Sequence, residues 1–462
     1  MSTTNYSPEF EKATFDKIAW RLIPFLFICY IVAFLDRVNV GFAKLQMAGD
    51  LKFSDAAYGF GAGVFFIGYF IFEVPSNVIL ERVGARVWIA RIMITWGIIS
   101  SAFMFLGQLH WGPIAPMFNC TDAEFSFYFL RFLLGAAEAG FFPGIILYLT
   151  YWFPASRRAK MVALFMTAIA VSNAVGSPIS GAIMQYIDGY NGWRGWQWLF
   201  LLEGIPSVIV GVLVFALLPN GPKNARWLND RERDLVSQRL HEAEADKKDL
   251  GQRHSFLDAF KDGRVWALAA VYFCGVVCFY AVNFWMPTII QEVGIDKKDF
   301  LKVGLLSFIP WGIAAVAMVL WGSHSDRTGE RRWHASLGLI VAAIGLLALA
   351  QIGHAAIPSI IALTLVTAGI LSWVATFWSL PTAFLSGTAA AAGIAWINSV
   401  GNLGGHFGPD LIGRIRTVTG GASEAAFYTL AVVALIGVAI ILLLPRTQQT
   451  QQASVNVAPS VK

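Results

Sequence analysis

The residues able to do chemistry in this chain are a few charged side chains set inside long apolar runs. Asp36 and Arg37 lie in the first run, Glu73 in the second, Arg131 and Glu138 in the fourth and Glu203 in the sixth. At membrane depth an ionisable group is costly unless it is paired or wetted, so each is a functional candidate by default. Arg131 and Glu138 are seven positions apart, close to two helical turns, and so share one helix face with Gly135 between them. The first run leads away from the amino terminus and the fourth leads back, which brings Arg37 and Arg131 to similar depths. Two arginines and two carboxylates could then meet in one cavity. That set suits the movement of an organic anion with protons: an incoming carboxylate takes over an arginine, and the acid it displaces is free to bind a proton.

The second half of the sequence has almost no acids or bases in its apolar runs before Asp410, so its share of a cavity must be polar and aromatic. Tyr280 and Asn283 are three apart and share a face, with Trp285 close by. Asn398 and Asn402 are four apart, among Gly401, Gly404, Gly405, Gly408 and Pro409, which could loosen the helix and expose backbone groups to a ligand. Trp373, Phe377 and Trp378 supply rings, although tryptophan also serves as an interfacial anchor. His406 is either a substrate contact or a helix-end donor. Glu73 and Glu203 each adjoin a proline, where backbone groups freed at a bend need partners, and both read as structural.

The elements that must position these groups are membrane helices. Of 462 residues, 56% are hydrophobic and 14% charged, whereas a soluble domain carries about a quarter charged residues. Apolar runs near 18–40, 56–80, 86–107, 125–148, 158–187, 195–218, 264–287, 300–322, 335–353, 358–380, 388–412 and 424–444 give about twelve spans, each near the ~20 residues that cross a bilayer. Their continuity excludes a β-barrel, whose strands alternate. Both termini are expected in the cytoplasm, because that side then receives most of the lysine and arginine, including ten residues from Lys223 to Arg264. The other side receives Lys44, Lys52, Arg194, Lys297, Lys298, Lys302, Arg414 and Arg416. The first residues are polar and the first run is long enough to remain as a span, so no cleaved leader is expected.

The polar stretch 219–263 reads as a solvated linker with a short helix capped by Asn229 or Asp230, between bundles at 1–218 and 264–445; a disordered cytoplasmic tail is expected at 446–462. The net charge of +5 comes from loop residues beside spans, so no nucleic-acid partner is implied. The four cysteines have no metal-ligand spacing, and there is no P-loop. No metal, cofactor or enzymatic activity is expected.

One motif occurs twice. Asn77-Val-Ile-Leu-Glu81-Arg82-Val-Gly84-Ala-Arg86 follows the second span, and Gly322-Ser-His-Ser-Asp326-Arg327-Thr-Gly329-Glu-Arg331-Arg332 follows the eighth, with Glu81 and Asp326 separated by 245 positions. The pair resembles the loop signature of the major facilitator superfamily, with Asn77 and Glu81 departing from it in the first copy. That resemblance implies an all-α membrane protein of twelve transmembrane helices in two pseudo-symmetric six-helix bundles. Glu81, Arg82, Arg86, Asp326, Arg327 and Arg331 are expected to latch the bundles across their cytoplasmic seam in the outward-open state.

A closer resemblance, over nearly the whole chain, is to the anion:cation symporter family. It rests on Phe34-Leu-Asp36-Arg37-Val-Asn39, Phe72-Glu73-Val-Pro75-Ser-Asn77, the run from Arg131 through Gly135 and Glu138 to Pro143-Gly144, Leu202-Glu203-Gly204-Ile-Pro206, Phe284-Trp285-Met-Pro287 and Asn398-Ser-Val-Gly401-Asn402. By that resemblance Asp36 and Glu138 are assigned to proton coupling and Arg37 to the substrate or to a pair with Glu138. Expected substrate contacts are Arg37, Arg131, Tyr280, Asn283, Trp378, Asn398, Asn402 and His406. The expected protein is a monomeric, multi-pass inner-membrane symporter of protons and a small organic anion, an aromatic acid or a dicarboxylate. An exchanger for the same anions and a non-transporting sensor are the alternatives.

Overall fold

The structure is a computed structural model that describes residues 6–249, 261–353, 355–384 and 387–445; the expected disordered tail at 446–462 lies outside the described residues. Among the described residues, eleven helices are long and apolar enough to cross a membrane: α1 Pro8–Asp50, α2 Asp55–Val83, α3 Ala85–Gln108, α4 Asp122–Thr150, α5 Leu164–Tyr186, α6 Gly195–Leu217, α7 Gly263–Glu292, α8 Phe300–Thr328, α9 Arg332–Ile352, α10 Ala356–Thr382 and α12 Glu424–Leu443. The twelfth passage, α11, is built of two shorter pieces, Gly387–Asn402 and Gly404–Val418, that meet at Leu403. The expected span at 388–412 thus continues as helix through a tightened turn, where the Leu403 N–H bonds to the Val400 carbonyl at 3.2 Å and the Leu403 backbone stays helical. Its glycines let it lie against α7 at backbone distance: a Cβ on Gly404 would sit 2.6 Å from the Phe273 carbonyl oxygen and one on Gly408 2.3 Å from that of Val277. In lipid, where apolar faces gain little by leaving the solvent, such small-residue contacts are a main source of helix association.

The two six-helix halves press together at the end remote from the termini. A Cβ on Gly181 of α5 would lie 2.4 Å from the Phe300 oxygen of α8, and one on Gly304 2.4 Å from the Ser177 oxygen. Between α2 and α11, a Cβ on Gly59 would lie 2.5 Å from the Pro409 oxygen and one on Gly413 2.3 Å from the Asp55 oxygen. At the opposite end lie the repeated loops. Gly84 and Gly329 both adopt positive φ (94° and 67°), and both donate their N–H to the carbonyl four residues back, Leu80 and Ser325. The repeat thus ends both helices at a positive-φ glycine, Gly329 in the left-handed helical region and Gly84 in a more extended one with ψ 143°.

The polar connector forms the helix Asp230–Asp249. Asn229 caps it: its side-chain oxygen accepts from Glu232 N–H at 2.8 Å, and the Glu232 carboxylate accepts from Asn229 N–H at 2.8 Å. Where a solvated connector was expected, this helix docks on the amino-terminal half. Glu232 pairs with Lys17 at 2.9 Å, Arg239 pairs with Glu11 at 2.9 Å, and Trp227 stacks on Trp152 with ring centroids 5.7 Å apart. The mixed charges that suggested solvation are matched by opposite charges at the start of α1.

Candidate substrate cavity

Between the halves lies a cavity of about 740 Å³, counting its open mouth. The amino-terminal half contributes Arg37, and the carboxyl-terminal half contributes Asn398 and Asn402 from α11. Most of the remaining wall is aromatic: Tyr30, Phe34, Phe66 and Tyr69 face Tyr272, Phe279, Tyr280, Trp373 and Trp378. Its lining continues along α5 at Met166 and α10 at Val374 and Trp378, toward the end that carries the repeated loops.

Arg37 is the centre of this arrangement. It forms a buried ion pair with Glu138 and donates to the Tyr280 hydroxyl of the opposite half at 2.9 Å. Its guanidinium also lies 5.2 Å from the Phe65 ring centre and 5.6 Å from that of Tyr69, within cation–π range. Glu138 ends the first segment of α4, Asp122–Glu138, and the chain resumes as helix at Phe141 after Gly140 takes φ 84°. A Cβ at Gly140 would strike the Ser76 hydroxyl at 2.4 Å. The sequence reading missed this break, although Ala139-Gly140 and the following Pro143 were visible as its signal.

The expected foursome of charges separates into three environments. Asp36 does not share the cavity with Arg37, because neighbouring residues on a helix point about 100° apart. Its carboxylate is turned into the amino-terminal half, where it accepts from Trp96 Nε1 at 3.0 Å, Ser100 Oγ at 2.7 Å and the Ser207 hydroxyl. Arg131 is buried on the far side of Phe65, 5.0 Å from that ring's centre, and donates to the Ala62 carbonyl at 2.8 Å. It is absent from the cavity wall.

Two other expected contacts also lie elsewhere. Asn283 donates to Asn173 of α5 at 2.8 Å in a smaller cleft between α5 and α7. His406 sits in the α2–α11 seam, 5.6 Å from the Phe60 ring, because the seam glycines pull this stretch of α11 onto α2. Tyr280, Trp378, Asn398 and Asn402 do line the cavity. Trp373 is fully buried in its wall, which removes the interfacial role for that residue. Glu203 accepts from Ser180 at 2.7 Å within the amino-terminal half.

Residues 26–409 match the sequence profile of the Major Facilitator Superfamily. The chain belongs to that superfamily. Its relatives include a protein provisionally named a tartrate transporter from Agrobacterium vitis, 48% identical over 95% of this chain and 96% of its own length. The metabolite transport protein NicT of Pseudomonas putida is 46% identical, covering 94% of this chain and 95% of NicT. Both relatives fit the anion:cation symporter branch. Among solved structures, the partially occluded, inward-open xylose transporter XylE from E. coli superposes with a TM-score of 0.70 at 14% identity, over 93% of this chain and 98% of XylE. That likeness shows the fold.

In this facilitator the two ends of the bundle are held differently. At the closed end, Asp55 of α2 accepts from Arg416 of α11 at 2.9 Å across the seam, Lys44 pairs with Asp55 at 2.9 Å, and Glu292 of α7 pairs with Arg416 at 2.6 Å. The Trp285 ring lies between the cations, 4.2 Å from Lys44 and 5.2 Å from Arg416. At the repeated loops, Asp326 pairs with Arg331 of its own loop at 2.6 Å, and Arg86 donates to the Phe215 carbonyl of its own half. Glu81, Arg82 and Arg327 are exposed. Among the described residues none of these six makes an ion pair with the other half, so the expected latch is not engaged in this conformation.

Proposed function

We propose that this transporter carries a small aromatic carboxylate together with protons by alternating access, as a monomer in the cytoplasmic membrane with both termini inside. The observation that carries the reading is Arg37. Among the described residues it is the one guanidinium on the cavity wall, and it is shared by Glu138 of its own half and Tyr280 of the other. A substrate carboxylate that binds Arg37 must displace Glu138, which is then left buried without its cation. A carboxylate in that position is far cheaper to keep as the neutral acid, so a proton follows the substrate into the site. When the cavity opens on the other side, loss of the proton returns Glu138 to Arg37 and expels the anion. Asp36, surrounded by neutral donors, is the second proton site of the proposal.

Ring-lined walls and a single exposed cation favour a flat monocarboxylate over a dicarboxylate such as the tartrate of the relatives' names. Each carboxylate of a dicarboxylate needs a strong donor, and Asn398 and Asn402 are the weaker offer. Tyr272 and Trp378 line the cavity with ring centroids 4.8 Å apart and would pack against a ring, with Phe377 stacked behind Tyr272. The test is a thermal-shift panel of aromatic acids and tartrate on purified protein, followed by uptake of the best binder into proteoliposomes with and without an inward proton gradient. Binding to the native state raises apparent stability. Arg37→Ala should weaken the binder roughly a hundredfold, the worth of ~3 kcal/mol for a charge-assisted contact in a dry site. Full affinity in that variant, or uptake indifferent to the gradient, would overturn the reading.

A further inference from the structure

Glu73 and Glu203 are buried acids that this mechanism leaves unused, and of the two Glu73 is the one bonded across the halves. It sits one turn beyond the cavity-lining Tyr69 on α2, on the side toward the repeated loops, and is 4% exposed. Its two oxygens each accept one hydrogen bond, from Asn398 Nδ2 at 2.8 Å and from Ser399 Oγ at 2.7 Å. Both donors are neutral and both belong to α11 of the opposite half. Pro75 lies two residues on, but the backbone group it leaves without a partner is the Ile71 carbonyl, an acceptor that an ionised carboxylate cannot serve. The carboxylate itself is therefore not spent on the bend.

We propose that Glu73 is a further proton-coupling residue of the transport cycle, a pin between the halves that must take up a proton when α11 withdraws its two donors. The inference rests on the proton-coupled reading above and adds a site to it. Asn398 stands on the cavity wall with its amide turned to Glu73, and its own piece of α11, Gly387–Asn402, meets the piece packed on α2 at the tight turn of Leu403. Movement of that first piece removes both hydrogen bonds together. The acid left behind is buried and has no cation within ion-pair distance among the described residues, so it persists as the neutral carboxyl, with a proton taken from cavity water onto one of its oxygens. Re-engagement of Asn398 and Ser399 restores the anion and returns the proton.

The other ionisable groups that act on Glu73 are few. Arg37 of α1, Tyr69 of α2 and Tyr272 of α7 are within electrostatic reach. Glu138 of α4 lies beyond Tyr69 and is held by Arg37. From α3 the neighbour is neutral: Trp88 donates to Ser76 at 2.9 Å. None of these replaces the two donors of α11.

The test uses the full-length protein in nanodiscs with spin labels at Val87 and Trp333, exposed positions on opposite halves near the repeated loops. In the wild type the distance distribution should shift between about pH 8.5 and about pH 5.5. Glu73→Gln should show the low-pH distribution at both, and Glu73→Asp should restore the shift. A Glu73→Gln protein that titrates as the wild type does, or a wild type whose distances ignore pH, overturns the proposal. If the glutamine variant does not fold, labelling of wild-type Glu73 by dicyclohexylcarbodiimide, which modifies protonated carboxyls, decides. Labelling roughly ten-fold greater at the lower pH supports the proposal, and pH-independent or absent labelling sinks it. Proton-driven uptake by the wild type is scored separately. If it is absent, the symport reading has failed; if it is present while Glu73 behaves as an inert residue, only the pin has failed.

Discussion

The two ends of this bundle use their charges in opposite ways. At the closed end Lys44 and Asp55 from one half meet Glu292 and Arg416 from the other, and among the described residues the one ion pair of this quartet that crosses the seam is Asp55 to Arg416. At the repeated loops the charges stay at home: Asp326 binds Arg331, and Arg86 binds the Phe215 carbonyl. The difference shows how a bundle can rock without stranding a charge. If the closed end parts, Lys44 keeps Asp55 and Arg416 keeps Glu292, so each half leaves with a neutral pair. Removing one partner from a buried pair is what costs several kcal/mol, whereas exchanging partners within a balanced set costs far less.

Asp55→Asn breaks this comparison hardest. Lys44 is 7% exposed and Arg416 5% exposed, and the substitution removes the shared anion from both. The loss of two charge-assisted contacts at a seam should move the balance toward molecules open at that end by about 2 kcal/mol, roughly thirty-fold in population. Double electron–electron resonance between labels at Tyr190 and Lys298, exposed residues of opposite halves at this end, reads the change. Glu292→Gln is the sharper control, since it leaves the crossing contact intact and should shift the distances less. Equal effects from the two variants would mean that the quartet is not organised around Asp55.

Much of this architecture could be read from the residues alone, and the limits have a physical cause. Apolar length located the core of each span, although α1 runs ten residues past its expected range at each end, and the repeated loop announced two related halves. The Arg37–Glu138 pair was one of two options that the family resemblance implied, and it agrees with the cost of leaving either group unpaired in lipid. What spacing could not reveal is pairing between distant segments. Lys44 and Arg416 counted only as loop charges that set orientation, yet they meet through Asp55, which is 361 positions from Arg416. Asp36 was grouped with Arg37 because they are adjacent, and adjacency on a helix means different faces. Glu73 was read through its proline neighbour, while its actual partners lie 325 and 326 positions away.

At the other end the comparison sharpens with Asp326→Asn. In the present conformation Asp326 is exposed and its pair with Arg331 is a surface one, which contributes little. If the repeated motif latches the halves when that end closes, Asp326 contributes there and not here. Its neutralisation should therefore favour the conformation seen in this structure by ~1 kcal/mol, several-fold in population, without altering the distances within it. Labels at Val87 and Trp333 report the balance. An unchanged balance would leave the arginines of both loops as determinants of topology alone.

The smallest effect isolates what the closed end gains from neutral groups. Thr417, next to Arg416 on α11, accepts the Ala56 N–H of α2 at 2.9 Å and so caps a helix of the opposite half. A lost cap costs about 0.5–1 kcal/mol, and Thr417→Val keeps the shape while removing that acceptor. The expected shift in the Tyr190–Lys298 distances is then a fraction of that caused by Asp55→Asn and in the same direction. Thr429→Val provides the baseline, because that hydroxyl bonds only to the Ala425 carbonyl of its own helix at 2.8 Å. If Thr417→Val matched Asp55→Asn, the seam would be held by its helix ends rather than its charges, and the opposition between the two ends would lose its electrostatic basis.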